Sequence, residues 1–196
     1  MRSSLLPGLL YTLLITGCAP QETDEQRIRR HYGIPPSART VQSQVTPAEA
    51  GWFGREGLKI TMVFKLGEGD IKALANQIAA DGTWQRLPIP EATLAHLAGI
   101  RSAREARIRL AQNTGEPLPP EGSVYNPTAG QLMQQFRQSL PAQPASGWYQ
   151  INTAGNDIMR APKTVRNTLH TDVNDFMLAM LDPGQRTFIV RVSTNY

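Results

Sequence analysis

Residues 58–66, Leu58-Lys59-Ile60-Thr61-Met62-Val63-Phe64-Lys65-Leu66, decide the fold. Leu58, Ile60, Met62, Phe64 and Leu66 alternate with smaller or polar residues, the period of two that a strand with one buried face requires. Gly67-Glu68-Gly69 breaks the strand, and Asp70 is placed to cap a helix. Ile71, Leu74, Ala75 and Ile78 then recur at helical spacing until Asp81-Gly82 stops them. A strong strand running into an amphipathic helix sets the pattern for the rest of the chain.

Upstream, Val41, Ser43 and Val45 alternate within residues 38–46 and predict a half-buried strand. Downstream, residues 83–90 form an extended connector with Trp84 and Leu87 available to cover the core. Pro90 opens a second helix that the periodicity carries through Gln112. Residues 113–127 are rich in Pro and Gly and irregular. Thr128-Ala129-Gly130-Gln131 then spells a capping box for a short helix bearing Leu132, Met133, Phe136 and Leu140. Residues 147–154 read as a strand. Residues 175–182 and 186–194 form a terminal hairpin around Asp182-Pro183-Gly184-Gln185, although Leu178-Ala179-Met180-Leu181 suits a helix equally. Strands at both ends with helices between predict an α+β domain: an antiparallel sheet, two to three helices packed over one face, and a C-terminal β-hairpin. Phe64 and Ile189 are expected on the same sheet face, toward the helices.

The first eighteen residues are of another kind. Arg2 supplies a positive charge, and the apolar run Leu5 to Ile15 is well short of the roughly 20 residues that span a bilayer as a helix. Leu14-Ile15-Thr16-Gly17-Cys18 follows, and Cys18 is the only cysteine in the chain. This segment resembles the lipobox of bacterial lipoproteins. The resemblance implies removal of residues 1–17 as a signal peptide and attachment of acyl chains at Cys18, a membrane anchor, in the cell envelope. Ala19 rather than Asp after the cysteine implies the outer membrane more than the inner. Residues 18–37 are polar and closed by Pro35-Pro36, a tether with a helical turn or two around Asp24 to His31, and residues 38–196 are the single globular domain.

Composition narrows the chemistry. Without residues 1–17 the chain has 179 residues, with 19 basic against 16 acidic side chains. That weak excess of positive charge gives little support to a nucleic-acid partner. With Cys18 lipidated no free thiol remains, which excludes cysteine nucleophiles, thiolate metal sites and CxxC redox chemistry.

The histidines His31, His96 and His170 form no HExxH and no ligand-spaced pair, so no metal site and no cofactor are expected. His96 lies beside Leu94 and Leu97, where a packed, hydrogen-bonded histidine is the usual outcome. The run His170 to Asp175 leaves a His–Asp pair open, but Phe176 and Met177 stand where a calcium loop needs an oxygen ligand and a glycine. GxSxG, SxxK and phosphate-binding glycine loops are absent. Glu56, Glu91 and Asp157 are candidate glycosidase carboxylates, with nothing to favour any pair. Arg101, Arg104 and Arg107 form one basic helix face that could meet lipid headgroups or phosphates, with Glu105 spaced to pair within the helix.

The most distinctive motif is Gly51-Trp52-Phe53-Gly54-Arg55-Glu56-Gly57. Exposed, Trp52, Phe53, Arg55 and Glu56 would anchor a protein partner or a sugar face; buried, the aromatics would plug the core. The pattern of this motif running into Leu58-Lys59-Ile60, with a terminal hairpin, resembles uncharacterised bacterial lipoproteins and brings no activity with it. The leading expectation is a lipid-anchored, non-enzymatic envelope protein whose domain binds another envelope protein. A hydrolase acting on peptidoglycan or glycans is the first alternative, and a carrier of a lipid or another apolar ligand the second.

Overall fold

A computed structural model of the chain describes residues 22–46, 49–51, 54–155 and 157–194, with the backbone alone described at 49–51 and 54–56. Cys18, Trp52 and Phe53 lie outside the described residues. The strongest strand of the sequence is β4 (Leu58–Lys65), next to the middle of an antiparallel sheet. Its neighbours are β1 (Arg39–Thr46) on one side and β9 (Thr187–Thr194) on the other. β9 forms the terminal hairpin with β8 (Phe176–Asp182), and β8 pairs β6 (Trp148–Thr153). Two short strands, β5 (Gln85–Arg86) and β7 (Thr164–Val165), flank β6. The Leu178–Leu181 segment, open between helix and strand by composition, is strand and wholly buried.

This is the expected α+β class, with the expected hairpin. Two helices, α1 (Asp24–Tyr32) and α2 (Glu68–Ala80), cover one face of the sheet. The structure adds a layer on the opposite face, where α3 (Glu91–Leu97) and α5 (Ala129–Ser139) pack on Tyr149, Ile151, Leu178 and Met180. β6, β8 and most of β9 therefore bury both of their alternating sets, while β4 leaves Lys59 exposed. Phe64 lies opposite Phe188 in the first core, while Ile189, one residue on, points into the second. The expectation that Phe64 and Ile189 share a face is thus corrected. Successive strand residues point to opposite faces, and both faces are covered.

Three further expectations change. α1 belongs to the packed domain: Ile28 is fully buried, Tyr32 and Ile34 nearly so, so the polar stretch is not all tether. Arg29 fastens α1 to β1, donating to Pro35 O, Ala38 O, Thr40 Oγ1 and Glu25 Oε1 with its guanidinium over the Phe64 ring. Asn152 Nδ2, buried on β6, donates to Tyr32 Oη at 3.1 Å and to Gln150 Oε1 at 2.9 Å. β1 is an edge strand, with Val41 53 % and Val45 47 % exposed rather than half-buried, because α1 meets it at Thr40 and neither valine joins either core. Asp70 is not the cap of α2. Gly67 holds that position, and Asp70 accepts from Ser37 Oγ instead.

The long second helix is two helices. Gly99, at φ +64°, takes the left-handed conformation that glycine alone adopts without cost, and it separates α3 from α4 (Ile100–Thr114). The capping box of α5 forms as spelled: Thr128 Oγ1 accepts from Gln131 N, and Gln131 Oε1 from Thr128 N.

The two strands β2 (Glu49–Gly51) and β3 (Gly54–Glu56) pair only with each other among the described residues. Their register, Glu49 with Glu56 and Gly51 with Gly54, continues that of β1 and β4, where Thr46 faces Lys59. β4 meets β9 last at Leu58 with Thr194, so the ribbon of residues 49–56 runs past the described end of the sheet.

Candidate functional site

Two features carry side chains or motifs singled out by the sequence. The first is the ribbon. Arg55 and Glu56 are on β3, with backbones paired to Ala50 and Glu49, and Trp52 and Phe53, outside the described residues, fall between the paired Gly51 and Gly54.

The second is a groove of about 520 Å³ between α4, the loop after it and the start of α5. It exists because Gly99 turns the chain between α3 and α4, so that α4 lies outside the core with no buried residue. Ile100, Ile108, Leu118 and Leu132 make its apolar wall, and Arg101, Arg104 and Arg107 face it from α4. Arg101 is held by Glu105 at 2.7 Å, the intrahelical pair expected from the spacing, and so exposed a pair contributes little. Arg107 donates to Ala103 O within the helix and ties the helix to the loop through Pro127 O. Arg104 makes no ion pair among the described residues. The basic face is therefore only partly neutralised, over an apolar floor that includes half-exposed Leu118.

At one end of the groove His96 and Asp172 meet. His96 Nδ1 lies 2.9 Å from Asp172 Oδ1, and Asp172 Oδ2 accepts the backbone N–H of Ser102 at 2.7 Å. The carboxylate thus caps the first turn of α4, whose own N-cap glycine offers no side chain, and it sits where the helix dipole favours negative charge. Burial pushes the Asp172 carboxyl upward, but the Ser102 N–H, the His96 ring and the Ser102 hydroxyl outweigh it and hold it below its ordinary value. Asp172 thus joins the end of α3 to the first turn of α4, a helix-capping arrangement. Sequence reading had noted His96 and Asp172 separately; their meeting depends on a loop 76 residues further along the chain.

The remaining candidates do not converge. Glu91, on α3, pairs with Arg137 of α5. Asp157 caps a turn through Met159 N, beside Ile158 in the core under α1 and α2, across the sheet from Glu91. The side chain of Glu56 is not described. His170 is exposed. Among the described residues no three His, Cys, Asp or Glu side chains cluster as a metal site would require. Comparison of the chain with protein-family models, with curated proteins and with solved structures found no match.

Proposed function

We propose that this protein is a lipid-anchored, non-enzymatic protein of the bacterial envelope, the outer membrane more than the inner, whose domain binds another envelope protein through the β2–β3 ribbon. The observation that carries the reading is the ribbon itself. It continues the register of β1 and β4, runs past the end of the sheet and pairs with no other strand among the described residues. Its sequence concentrates two aromatics, an arginine and a glutamate between glycines, and aromatics and arginine are enriched at protein hot spots. Anchoring through Cys18 supports the same reading. Thr23 is only five residues on, so the folded domain would begin within about 18 Å of the acyl chains.

The test is capture from envelope extracts with the lipidated protein and with Trp52→Ala. Partner retention should fall by at least about 2 kcal/mol in binding free energy, the usual hot-spot threshold, while Tm stays put. A Tm loss with unchanged capture would make the aromatics a core plug and remove this reading. Cys18→Ser should be unprocessed or freely soluble; recovery in the membrane fraction at full level with its mature mass unchanged would remove the anchor.

A second reading is favoured by the groove. Arginines over an apolar floor suit an anionic amphiphile, which would make the protein a lipid carrier. The two readings separate on whether Arg104→Glu or Trp52→Ala abolishes the native interaction.

A further inference from the structure

The sheet face under α3 and α5 contains a buried arginine with no acidic partner among the described residues. Arg191 stands on β9 opposite Thr61 of β4 and is 8 % exposed. One guanidinium nitrogen donates to Thr61 Oγ1 at 2.7 Å, while Nε is buried without a hydrogen-bond partner among the described residues. No carboxylate there lies within ion-pairing distance. Guanidinium does not lose its proton inside proteins, so Arg191 cannot escape the desolvation penalty by becoming neutral. Its burial pushes the pKa down. An uncompensated buried cation is among the costlier arrangements a fold can hold.

Arg191 lines a pocket of about 210 Å³ beneath the Gly99 turn. Lys59 stands exposed at its rim, and Ser139, Asn174 and Ser193 add hydroxyl and amide groups. Neither Asp nor Glu lines it among the described residues. Two cations, neutral hydrogen-bond donors and no acid make a complement to negative charge, and the fork of a guanidinium matches paired oxygens better than a single atom. The volume is below the roughly 300–1,000 Å³ of sites for drug-sized ligands, which limits the occupant to a small ion or the terminal group of a larger molecule.

We propose that this pocket binds a small oxyanion, a phosphate or carboxylate group, with Arg191 as its buried anchor and Lys59 at its mouth. It is independent of the ribbon and would persist if the partner-binding reading failed.

The experiment is thermal unfolding of the intact protein, and of Arg191→Met and Lys59→Gln, in potassium phosphate against potassium chloride of equal ionic strength. Acetate and glycerol 3-phosphate serve as further probes. At about ten times Kd, phosphate should raise the Tm of the unsubstituted protein by roughly 3–6 °C beyond chloride. Arg191→Met should lose that increment while being no less stable in chloride, since an apolar side chain replaces an uncompensated charge. Lys59→Gln should need several-fold more phosphate. A response to acetate as well identifies a general oxyanion site, and a response only to the two phosphates identifies a phosphate site; both support the proposal. Equal shifts in the protein and Arg191→Met would place the anion elsewhere and overturn it. So would an Arg191 Nε–Hε resonance that none of the three anions moves, a readout that stands even if Arg191→Met fails to fold.

Discussion

At the scale of a residue, Asp172 shows how one side chain can fix a bend. Its two oxygens reach His96 at the end of α3 and Ser102 in the first turn of α4, so the carboxylate clasps both sides of the Gly99 turn. Asp172→Asn keeps the shape but loses the charge, and should cost about 1–3 kcal/mol, measured by denaturant unfolding at neutral pH. The pH dependence has a definite sign. A carboxyl whose folded pKa is depressed stabilises the fold above its unfolded pKa of about 3.9, and that stabilisation is lost as pH falls through the folded value. Glu25, held down chiefly by the Thr40 hydroxyl and then by Arg29, acts in the same direction. Acid unfolding below about pH 4 should therefore be shallower in Asp172→Asn than in the unsubstituted protein; identical slopes would mean that this carboxylate does not titrate with folding. The sequence predicts a packed, hydrogen-bonded His96 and leaves a His–Asp pair open only within the run His170 to Asp175, because nothing local to His96 encodes the approach of a distant loop.

At the scale of an element, α1 is the instructive case. Its composition is polar enough to read as tether, with Ile28 as its one aliphatic side chain and Tyr32 at its end. The signal that it is a fixed helix is Thr23 with Gln26, a capping box whose two bonds form at 3.2 and 2.8 Å. Whether the helix docks was not legible, since docking depends on Phe64, Asn152 and Thr40 lying in wait across the fold. If α1 is integral, Ile28→Ala should cost roughly 2–5 kcal/mol, as other buried aliphatic truncations do. In a tether the same change would be silent. Urea unfolding of the single variant decides, and a loss under about 0.5 kcal/mol would return α1 to the tether. The split of the second helix had a visible cause in Gly99. One glycine inside a periodic pattern is often tolerated, however, and only its positive φ, together with a capping carboxylate, turned tolerance into a break.

At the scale of the whole molecule, the sheet is a partition between two cores. Phe64 and Phe188 belong to one and Ile189 to the other, so neighbouring residues of β9 stabilise different layers. Phe64→Ala should cost about 3–5 kcal/mol and Ile189→Ala about 2–5 kcal/mol. Because the two side chains lie on opposite sides of the sheet, their effects should add to within about 0.5 kcal/mol in the double variant. A larger coupling energy from the denaturant midpoints would put them in one core after all. The same partition separates the functional features. The groove and the Arg191 pocket lie on the α3–α5 side, α1 lies on the other, and the ribbon leaves the sheet at its described end.

The sequence by itself determined the elements with strong local codes. The alternation in β4, the capping box of α5 and the turn at Asp182 to Gln185 each act over a few residues, so each was readable. The lipobox-like run ending at Cys18 is likewise local, and the proposed envelope address rests on it alone. Only the tertiary structure decided how many faces of the sheet are covered, that α1 is docked, that β1 is exposed, and that Arg191 is buried with no carboxylate beside it among the described residues. Those properties arise from contacts between residues far apart in the chain. Periodicity fixes which residues share a face, but what packs against that face is set by the path of the backbone through space.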